Sequence, residues 1–452
     1  MATARLPVFD RRRSGVLLPM SALDKALGSG GRAFIDWLAQ AAFSVWQILP
    51  AGPVGVDGSP YWVRSDCAGN SAFLDRAELP DPNVPIGADF LAASSPWLDD
   101  YALFEALTVS QGGAPFWRWP RELRDREPNA LARARNALAS EVSRIEREQY
   151  AFYLQWNRLR EHAALRGVRL FGDLPFYVGP SSVETWAHRE LFQLKPDGQP
   201  AFVGGVPPDY FSALGQLWGN PVYDWQALQH TDFAWWLSRV RAQLARFDLL
   251  RIDHFRALAA YWAVPAGAAD ARGGAWLSTP GEHLLHRLRG EFPDLPLVAE
   301  DLGVITEDVL ALKNGFGLPG MRVLQFGFDG EPGNVHVPHR HVRECVAYTG
   351  THDNDTTLGW YLGLDRDMRQ RVDFYLRVTP GAMPEALIRA ALGSVGQLAV
   401  IPAQDLLALG SEARLNTPGT ATGNWTWRLP AGALTPQLAR GCAQLNACFG
   451  RT

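Results

Sequence analysis

The stretch FDLLRID, residues 247–253, contains the pattern that is most informative about the architecture of the chain. It is a short apolar run that ends on an acid, Asp253, and an amphipathic helical pattern from Trp235 to Arg246 precedes it. Continuous apolar runs of this length are typical of strands that are buried on both faces of a parallel sheet. A helix followed by such a strand predicts a parallel α/β architecture.

The same kind of run recurs along the chain. Six further segments share it: SVWQILP at 44–50, VRLFGD at 168–173, LVAE at 297–300, VLQF at 323–326, VAYTGTH at 346–352 and LAVI at 398–401. One further strand, expected after the first, remains without an assignment. A barrel and an open doubly wound sheet both produce alternating strands and helices.

Acidic residues end several different runs, and this favours the barrel. Barrel active sites draw residues from the carboxyl ends of many strands, whereas an open sheet concentrates its site at one switch point. The sequence therefore predicts a single (β/α)₈ TIM barrel over residues 1–452, with helical and loop insertions. Residues 80–157, Pro-rich and then helical and charged, are predicted to form a helical insertion subdomain. Residues 192–225, rich in Gly, Pro and aromatic residues, are predicted to form an active-site loop.

Composition excludes several classes of protein. The formal net charge is −4, which gives no electrostatic footprint for nucleic acid and no polybasic membrane patch. No run approaches the ~18 apolar residues of a membrane span. Arg11-Arg12-Arg13 precedes only a very short apolar stretch, so no export signal is predicted. Four cysteines without a C-x-x-C pair indicate reduced thiols, and we expect a cytoplasmic protein.

Four acids at strand ends suit glycosidic chemistry. A retaining reaction needs a nucleophilic carboxylate and a carboxylic acid on opposite sides of the anomeric carbon. Their environments must give the two groups different pKa values, so that one is ionised while the other is protonated. Asp253 suits the nucleophile, because Arg251 points to the same face of the strand and favours the ionised form. Glu300 follows another apolar strand and suits the acid/base. Asp353 closes a third strand, where it can hold ring hydroxyls, and Asp173 closes a fourth.

The segments around these acids resemble a known family. FGDLPFYV (171–178), RIDHF (251–255), AEDLG (299–303) and THDND (351–355) look like the four signature regions of the α-amylase superfamily. The stretches GVPPDYFSALGQLWGNPVYDW (205–225), GLPGMRVLQF (317–326) and YTGTHDNDTTLGW (348–360) resemble the amylomaltase, or disproportionating-enzyme, branch. Matching segments run from about residue 15 to about residue 406.

The resemblance implies a 4-α-glucanotransferase that moves α-1,4-glucan segments between maltooligosaccharides without a cofactor or metal. It implies Asp253 as nucleophile, Glu300 as acid/base and Asp353 as transition-state stabiliser. The substrate-binding residues that it implies are Tyr61, Asp173, Tyr210, Phe211, Gln216, Trp218, Asn220, Arg251, His254 and His352. The chain departs from the pattern at Trp62, where Gln is usual after Ser-Pro-Tyr, and through residues 63–67.

Other interpretations remain open at this point. A glucan hydrolase of the same superfamily would share the three carboxylates, and a glucan-binding protein could retain the fold without activity. A metal-dependent barrel hydrolase is a third alternative. His336, His339 and His341 are spaced H-x2-H-x-H in a Pro-containing loop without an adjacent acid, so we predict no metal site there.

Overall fold

A computed structural model describes residues 8–55, 57–208, 213–420 and 422–452. Over these residues the chain forms twelve strands, which fall into two sheets. In chain order they are β1 (Arg13–Leu17), β2 (Val45–Gln47), β3 (Arg169–Leu174), β4 (Phe202–Val206), β5 (Gln216–Pro221), β6 (Leu249–Ile252), β7 (Ala260–Pro265), β8 (Ala275–Ser278), β9 (Leu297–Ala299), β10 (Gly320–Val323), β11 (Cys345–Tyr348) and β12 (Leu398–Pro402).

Eight parallel strands form the predicted barrel. They follow one another in sequence order as β1, β2, β3, β6, β9, β10, β11 and β12, and β12 pairs with β1. At the remaining junction the N–H of Ala299 in β9 donates to the carbonyl of Pro319, just before β10, at 2.8 Å. This bond brings the last two neighbours together. The prediction of a (β/α)₈ barrel is therefore confirmed, and the open doubly wound sheet is excluded.

Alternation along the strands fills the interior of the barrel. One buried apolar cluster joins residues from every barrel strand, among them Phe171, Leu249, Val298, Tyr348 and Val400. Successive side chains of a strand point to opposite faces, so their neighbours in sequence face the surrounding helices. The barrel is a packed core. At the carboxyl-terminal rim the buried apolar residues of each strand end, and polar residues can follow them in sequence.

Sixteen α-helices lie along the described residues. They are α1 (Ser29–Gln40), α2 (Ala88–Ser94), α3 (Leu98–Ser110), α4 (Arg121–Arg124), α5 (Pro128–Ala137), α6 (Ala139–Leu165), α7 (Val183–Ala187), α8 (Trp225–His230), α9 (Ala234–Leu244), α10 (Gly281–Glu291), α11 (Glu307–Gly315), α12 (Thr357–Gly363), α13 (Arg366–Leu376), α14 (Glu385–Gly393), α15 (Ala403–Leu406) and α16 (Pro436–Cys448). None of the helices in the described ranges is both long and apolar enough to cross a bilayer.

Helices α2 to α6 occupy the region between β2 and β3. Helix α6 is 27 residues long, and its carboxyl-terminal half packs Trp156 and Leu159 into the same buried cluster as Phe34 of α1. Its amino-terminal half packs Val142 and Ile145 into a separate cluster with α3. One helix thus belongs to the barrel shell at one end and to the additional helical layer at the other.

The second sheet has four antiparallel strands in the order β5-β4-β7-β8. Strands β4 and β5 lie inside the segment 192–225, which therefore folds in part as a hairpin and is not a plain loop. The sequence predicted an active-site loop over this segment and did not indicate the two strands within it. The many Gly and Pro residues of this segment did not indicate strands, because both residue types are depleted in strands.

Two strand predictions need correction. The missing eighth strand is β1, at the start of the barrel, and not a strand after the first. Its sequence RSGVL is only partly apolar: Ser14 is buried by donating to Asn446 at 2.7 Å, and Gly15 lies too close to Val45 for a side chain. Strand β10 begins at Gly320, three residues before the predicted run, and residues 324–326 form a 3₁₀ turn.

Gly172 in β3 offers a test of the shell packing. A Cβ at this position would overlap the ring of Phe247, which itself packs edge-on against Trp156. We expect Gly172→Ala to lower the free energy of unfolding by about 1–3 kcal/mol, because the shell is overpacked. Gly441→Ala is the matched control, since Gly441 lies in α16 with open space around it, and a gain of up to ~1 kcal/mol is expected there. Urea denaturation measures both; equal midpoints for the two variants would contradict the packing argument.

Candidate active site

The predicted acids meet at the carboxyl-terminal rim of the barrel. Asp173 lies near the end of β3, Asp253 follows β6, Glu300 follows β9, and Asp353 lies in the loop after β11. The register places Asp173 beside Arg251, and Arg251 beside Val298. Asp253 and Glu300 each stand two residues further along, so both belong to the inward-facing row. The folding pattern alone therefore brings these groups to one place.

Arg251 links two carboxylates. Its Nη1 donates to both oxygens of Asp173 at 2.7 Å, and its Nη2 donates to Oδ1 of Asp253 at 2.8 Å. The Tyr61 hydroxyl donates to Oδ2 of Asp173 at 2.8 Å. Burial, with Asp173 adding to it, raises the pKa of Tyr61 well above its ordinary value, so the phenol keeps its proton. Burial raises the pKa of Asp173, and the charge of Arg251 opposes that shift.

Glu300 is held by two backbone donors. The N–H of His254 donates to Oε2 at 2.8 Å and the N–H of Leu302 donates to Oε1 at 2.9 Å. His254 adopts a left-handed conformation with φ 47°, which places its backbone in the sharp turn after β6. Burial raises the pKa of Glu300 to about 7, Arg251 opposes the shift, and the charge of Asp253 adds to it. A substantial fraction of Glu300 therefore carries a proton near neutral pH, as a general acid must.

Asp353 has a different environment. Nδ2 of Asn416 donates to its Oδ1 at 2.6 Å, and Nε2 of His352 lies 3.3 Å from its Oδ2. Desolvation in the cleft would raise the pKa of Asp353, but His352, Asn416 and Arg251 together hold it well below its ordinary value. Desolvation would lower the pKa of His352, but the charge of Asp353 outweighs this effect, and the pKa of His352 is raised. Asp353 is therefore ionised near neutral pH.

Three rings form a wall beside the carboxylates. Tyr61 stacks on His352 with ring centroids 5.1 Å apart. Trp425, from the carboxyl-terminal part of the chain, lies 6.1 Å from Tyr61 and 5.9 Å from His352. Flat aromatic faces beside polar groups suit a ligand that has both apolar and hydroxyl-bearing surfaces.

His254 is a neutral group of this cleft. Burial lowers its pKa to about 4, so the imidazole is uncharged near neutral pH. Its Nε2 is buried without a hydrogen-bond partner among the described residues. The ring meets Trp218 edge-on, with centroids 4.7 Å apart. An unpaired nitrogen at a cleft wall can bind a ligand hydroxyl.

The remaining predicted binding residues lie on β5. Oε1 of Gln216 accepts from the indole of Trp218 at 3.2 Å, and Nδ2 of Asn220 donates to the carbonyl of Val178 at 2.8 Å. Asn220 therefore connects β5 to the segment that follows β3. The predicted residues Tyr210 and Phe211 lie outside the described residues.

The structure adds residues that sequence reasoning missed. Arg414 donates to the backbone carbonyl of Asp353 at 2.7 Å, and Asn416 and Trp425 contact the site as described above. They come from a segment after the last barrel strand, where no strand pattern points to a site. The motif Asn424-Trp425, in a Gly- and Pro-rich stretch, was the available signal.

The three histidines of the H-x2-H-x-H segment are engaged in structural contacts. Nδ1 of His336 accepts from the N–H of Val323 at 3.1 Å, Nδ1 of His339 lies 2.9 Å from the hydroxyl of Tyr375, and His341 contacts Ser394 at 2.7 Å. In the portions of the chain described above, no group of three or more His, Cys, Asp or Glu side chains could hold a metal ion.

The chain is similar to known proteins of one enzyme family. Residues 18–88 and 82–435 match the 4-alpha-glucanotransferase family, Glyco_hydro_77. A 4-alpha-glucanotransferase of Thermus thermophilus is 42% identical, over 94% of this chain and 96% of that protein. The amylomaltase of Streptococcus agalactiae, solved in complex with acarbose, superimposes with a TM-score of 0.92 at 33% identity, over 98% of this chain and 100% of that chain. The amylomaltase of Corynebacterium glutamicum shares the fold, with a TM-score of 0.76 at 16% identity, over 99% of this chain and 77% of that chain.

The matched residues include seven of the eight barrel strands, all but β1, and the four segments around the acids lie at or directly after the carboxyl ends of β3, β6, β9 and β11. The resemblance inferred from the sequence is thereby confirmed. The chain belongs to the 4-alpha-glucanotransferase family, glycoside hydrolase family 77, and is an enzyme of that class.

Proposed function

We propose that the enzyme transfers α-1,4-linked glucan segments between maltooligosaccharides by a retaining double displacement. The observation that carries the proposal is the pair of carboxyl groups in different environments: Arg251 donates to Asp253 at 2.8 Å, and burial raises the pKa of Glu300 to about 7. Two titratable groups whose environments separate them in this way define an acid and a nucleophile.

The spacing of the strands supports retention. Ile252 and Ala299 are paired in neighbouring strands, and Asp253 and Glu300 are the next residues of each. Neighbouring strands lie about 4.8 Å apart. The two carboxyl groups of retaining enzymes are ~5–5.5 Å apart, whereas inverting enzymes keep ~6.5–9.5 Å to admit a water molecule. Paired positions on adjacent strands favour the shorter separation.

The reaction is written in two steps. Asp253 attacks the anomeric carbon while Glu300 gives its proton to the glycosidic oxygen, and the leaving glucan departs as an alcohol. The glucosyl segment is then bound covalently to Asp253. A hydroxyl of the acceptor next attacks the anomeric carbon, its proton passes to Glu300, and the bond to Asp253 breaks. After the first step Asp253 is an uncharged ester and Glu300 is a carboxylate, and the second step returns both carboxyl groups to their starting charges.

The other cleft residues would position the sugar that reacts. Tyr61 would stack on it, and Asp173 and His352 would bind its hydroxyls together with the guanidinium of Arg251. The unpaired Nε2 of His254 would accept or donate one more bond. Asp353, held ionised, would stabilise the positive charge that develops on the ring.

Transfer requires an acceptor sugar in place of water. Gln216, Trp218 and Asn220 on β5, with Tyr210 and Phe211 before it, would line the acceptor and donor sites and exclude water. Acarbose in the related S. agalactiae structure supports oligosaccharide substrates.

We also propose a cytoplasmic location, one catalytic domain over 1–452, a helical insertion at 80–157 and an active-site insertion at 192–225.

Incubation with maltotriose alone, without any cofactor, tests the function. Transfer predicts a ladder of shorter and longer glucans, including products longer than the substrate. Products no longer than maltotriose, with a matching rise in reducing ends, would indicate the hydrolase alternative. No conversion at all would contradict the proposed activity on maltooligosaccharides, and loss of activity on chelation would indicate a metal enzyme.

Asn416 provides a test of the carboxylate environment. Asn416→Ala removes a donor to Asp353 at 2.6 Å, so the developing positive charge would face a carboxylate that is less well placed. Because a hydrogen bond to a charged group contributes ~1.5–3 kcal/mol, we expect kcat to fall about 10- to 100-fold. Asn314→Ala, an exposed change of the same type in α11, is the control and should leave kcat unchanged. Equal kcat values for the two variants would contradict a role for Asn416.

A further inference from the structure

A cleft on the small antiparallel sheet borders the active site. Its volume is about 270 Å³, close to the lower limit of ~300 Å³ for the pockets that hold drug-sized ligands, so it suits one or two rings. None of the described residues that line it carries a charge, which favours a neutral ligand. They are Trp62, Val203, Leu217, Trp218, Gly219, Pro265, Gly267 and Ala268.

Trp62 is fixed in the wall of this cleft. Its Nε1 donates to the carbonyl of Trp218 and to Oδ1 of Asn220, each at 3.2 Å. The ring lies over Gly219, where a Cβ would stand 3.0 Å from the indole and where φ is 77°. Only glycine suits both conditions. Even so, 36% of Trp62 remains exposed to solvent. The indole is therefore oriented before any ligand arrives, which lowers the entropic cost of stacking on it.

The cleft is connected to the acid/base through Trp218 and His254. Trp218 lines the cleft and meets the ring of His254 at 4.7 Å, and the backbone of His254 holds Glu300. An acid/base carboxyl stands beside the oxygen that leaves and the hydroxyl that attacks, so acceptor sugars extend from its side. Tyr61 and Trp62 are consecutive: Tyr61 contacts Asp173 and His352, whereas Trp62 contacts Trp218 and Asn220.

We propose that this cleft is an outer acceptor subsite, in which a glucosyl unit beyond the first acceptor sugar stacks on Trp62. The inference rests on the proposed function. An α-glucosyl ring offers an apolar C–H face to the indole and is uncharged, which fits the lining. The subsite raises the reactivity of longer acceptors relative to glucose, because glucose reaches only the sugar position next to Glu300.

The test compares acceptors of two lengths. With maltotriose as donor, the rate of transfer to labelled maltotetraose is divided by the rate to labelled glucose, for the wild type and for Trp62→Ala, Trp62→Phe and Ala268→Trp. We expect Trp62→Ala to lower this ratio about tenfold, the effect of losing a strong aromatic contact. Trp62→Phe should keep part of the preference. Ala268→Trp, which fills the cleft and leaves Trp62 in place, should lower the ratio as Trp62→Ala does.

Trp276→Ala is the matched control. Trp276 lies in β8 of the same sheet, is 38% exposed and does not line the cleft. Its ratio should equal that of the wild type. If Trp62→Ala and Ala268→Trp also keep the wild-type ratio, the subsite is overturned while the transferase function stands. If the wild type transfers to neither acceptor, the proposed function itself fails.

Discussion

Replacing Glu300 by glutamine is expected to lower kcat by about 10²–10⁴, the usual contribution of a general acid/base. The amide keeps the shape of the side chain and can still meet the backbone N–H of Leu302. It cannot give a proton to the leaving oxygen or take one from the acceptor. Steady-state transfer from maltotriose measures the loss. Wild-type turnover by Glu300→Gln would contradict the role of Glu300 as the general acid/base.

The pH profile provides a second measurement on the same residue. Burial raises the pKa of Glu300 to about 7, so its protonated fraction, and with it the first step, should fall as pH rises above about 7. This alkaline limb should disappear in Glu300→Gln. Glu105→Gln is the control, because burial also raises the pKa of Glu105 to about 7, but its partner is Arg64, outside the site. The alkaline limb should persist in Glu105→Gln; its loss there would assign the limb to structure and not to catalysis.

The barrel and its acids were predictable because both follow from local pattern. Runs such as FDLLRID are buried on both faces, and an acid that directly follows a strand must lie at the carboxyl-terminal rim. Arg251 and Asp253 share a face by simple alternation, and their ion pair is present at 2.8 Å. Proximity along the chain was sufficient for this part of the site.

The missed features depend on contacts between distant segments. Asn416 is 63 residues from Asp353 in sequence, and no periodic pattern relates the two. The sequence of β1 does not indicate a buried strand, because it contains Ser14 and Gly15. Ser14 can be buried only because its hydroxyl bonds to the distant Asn446, and Gly15 is required because Val45 leaves no room for a side chain. The hairpin β4–β5 depends on pairing with β7 in the next βα connection. Such partners are known only once the chain is folded.

Replacing Arg251 by methionine is expected to destabilise the fold and to abolish transfer. The change leaves the buried Asp173 without its cation and releases Asp253, and breaking a buried pair by removing one partner costs about 3–5 kcal/mol. Arg251→Lys should be intermediate for stability, because a single ammonium cannot match both carboxylates with the fork of a guanidinium.

A double variant separates stability from catalysis in this cluster. In Arg251→Met/Asp173→Asn the uncompensated buried charge is gone, so denaturation in urea should show most of the lost stability restored, with a coupling free energy well above ~0.5 kcal/mol. Transfer from maltotriose should remain lost, because Asp253 still lacks its guanidinium and the Asp173 carboxylate is absent. If activity returned together with stability, Arg251 would serve only to neutralise Asp173, and the ion pair with Asp253 at 2.8 Å would have no part in the chemistry.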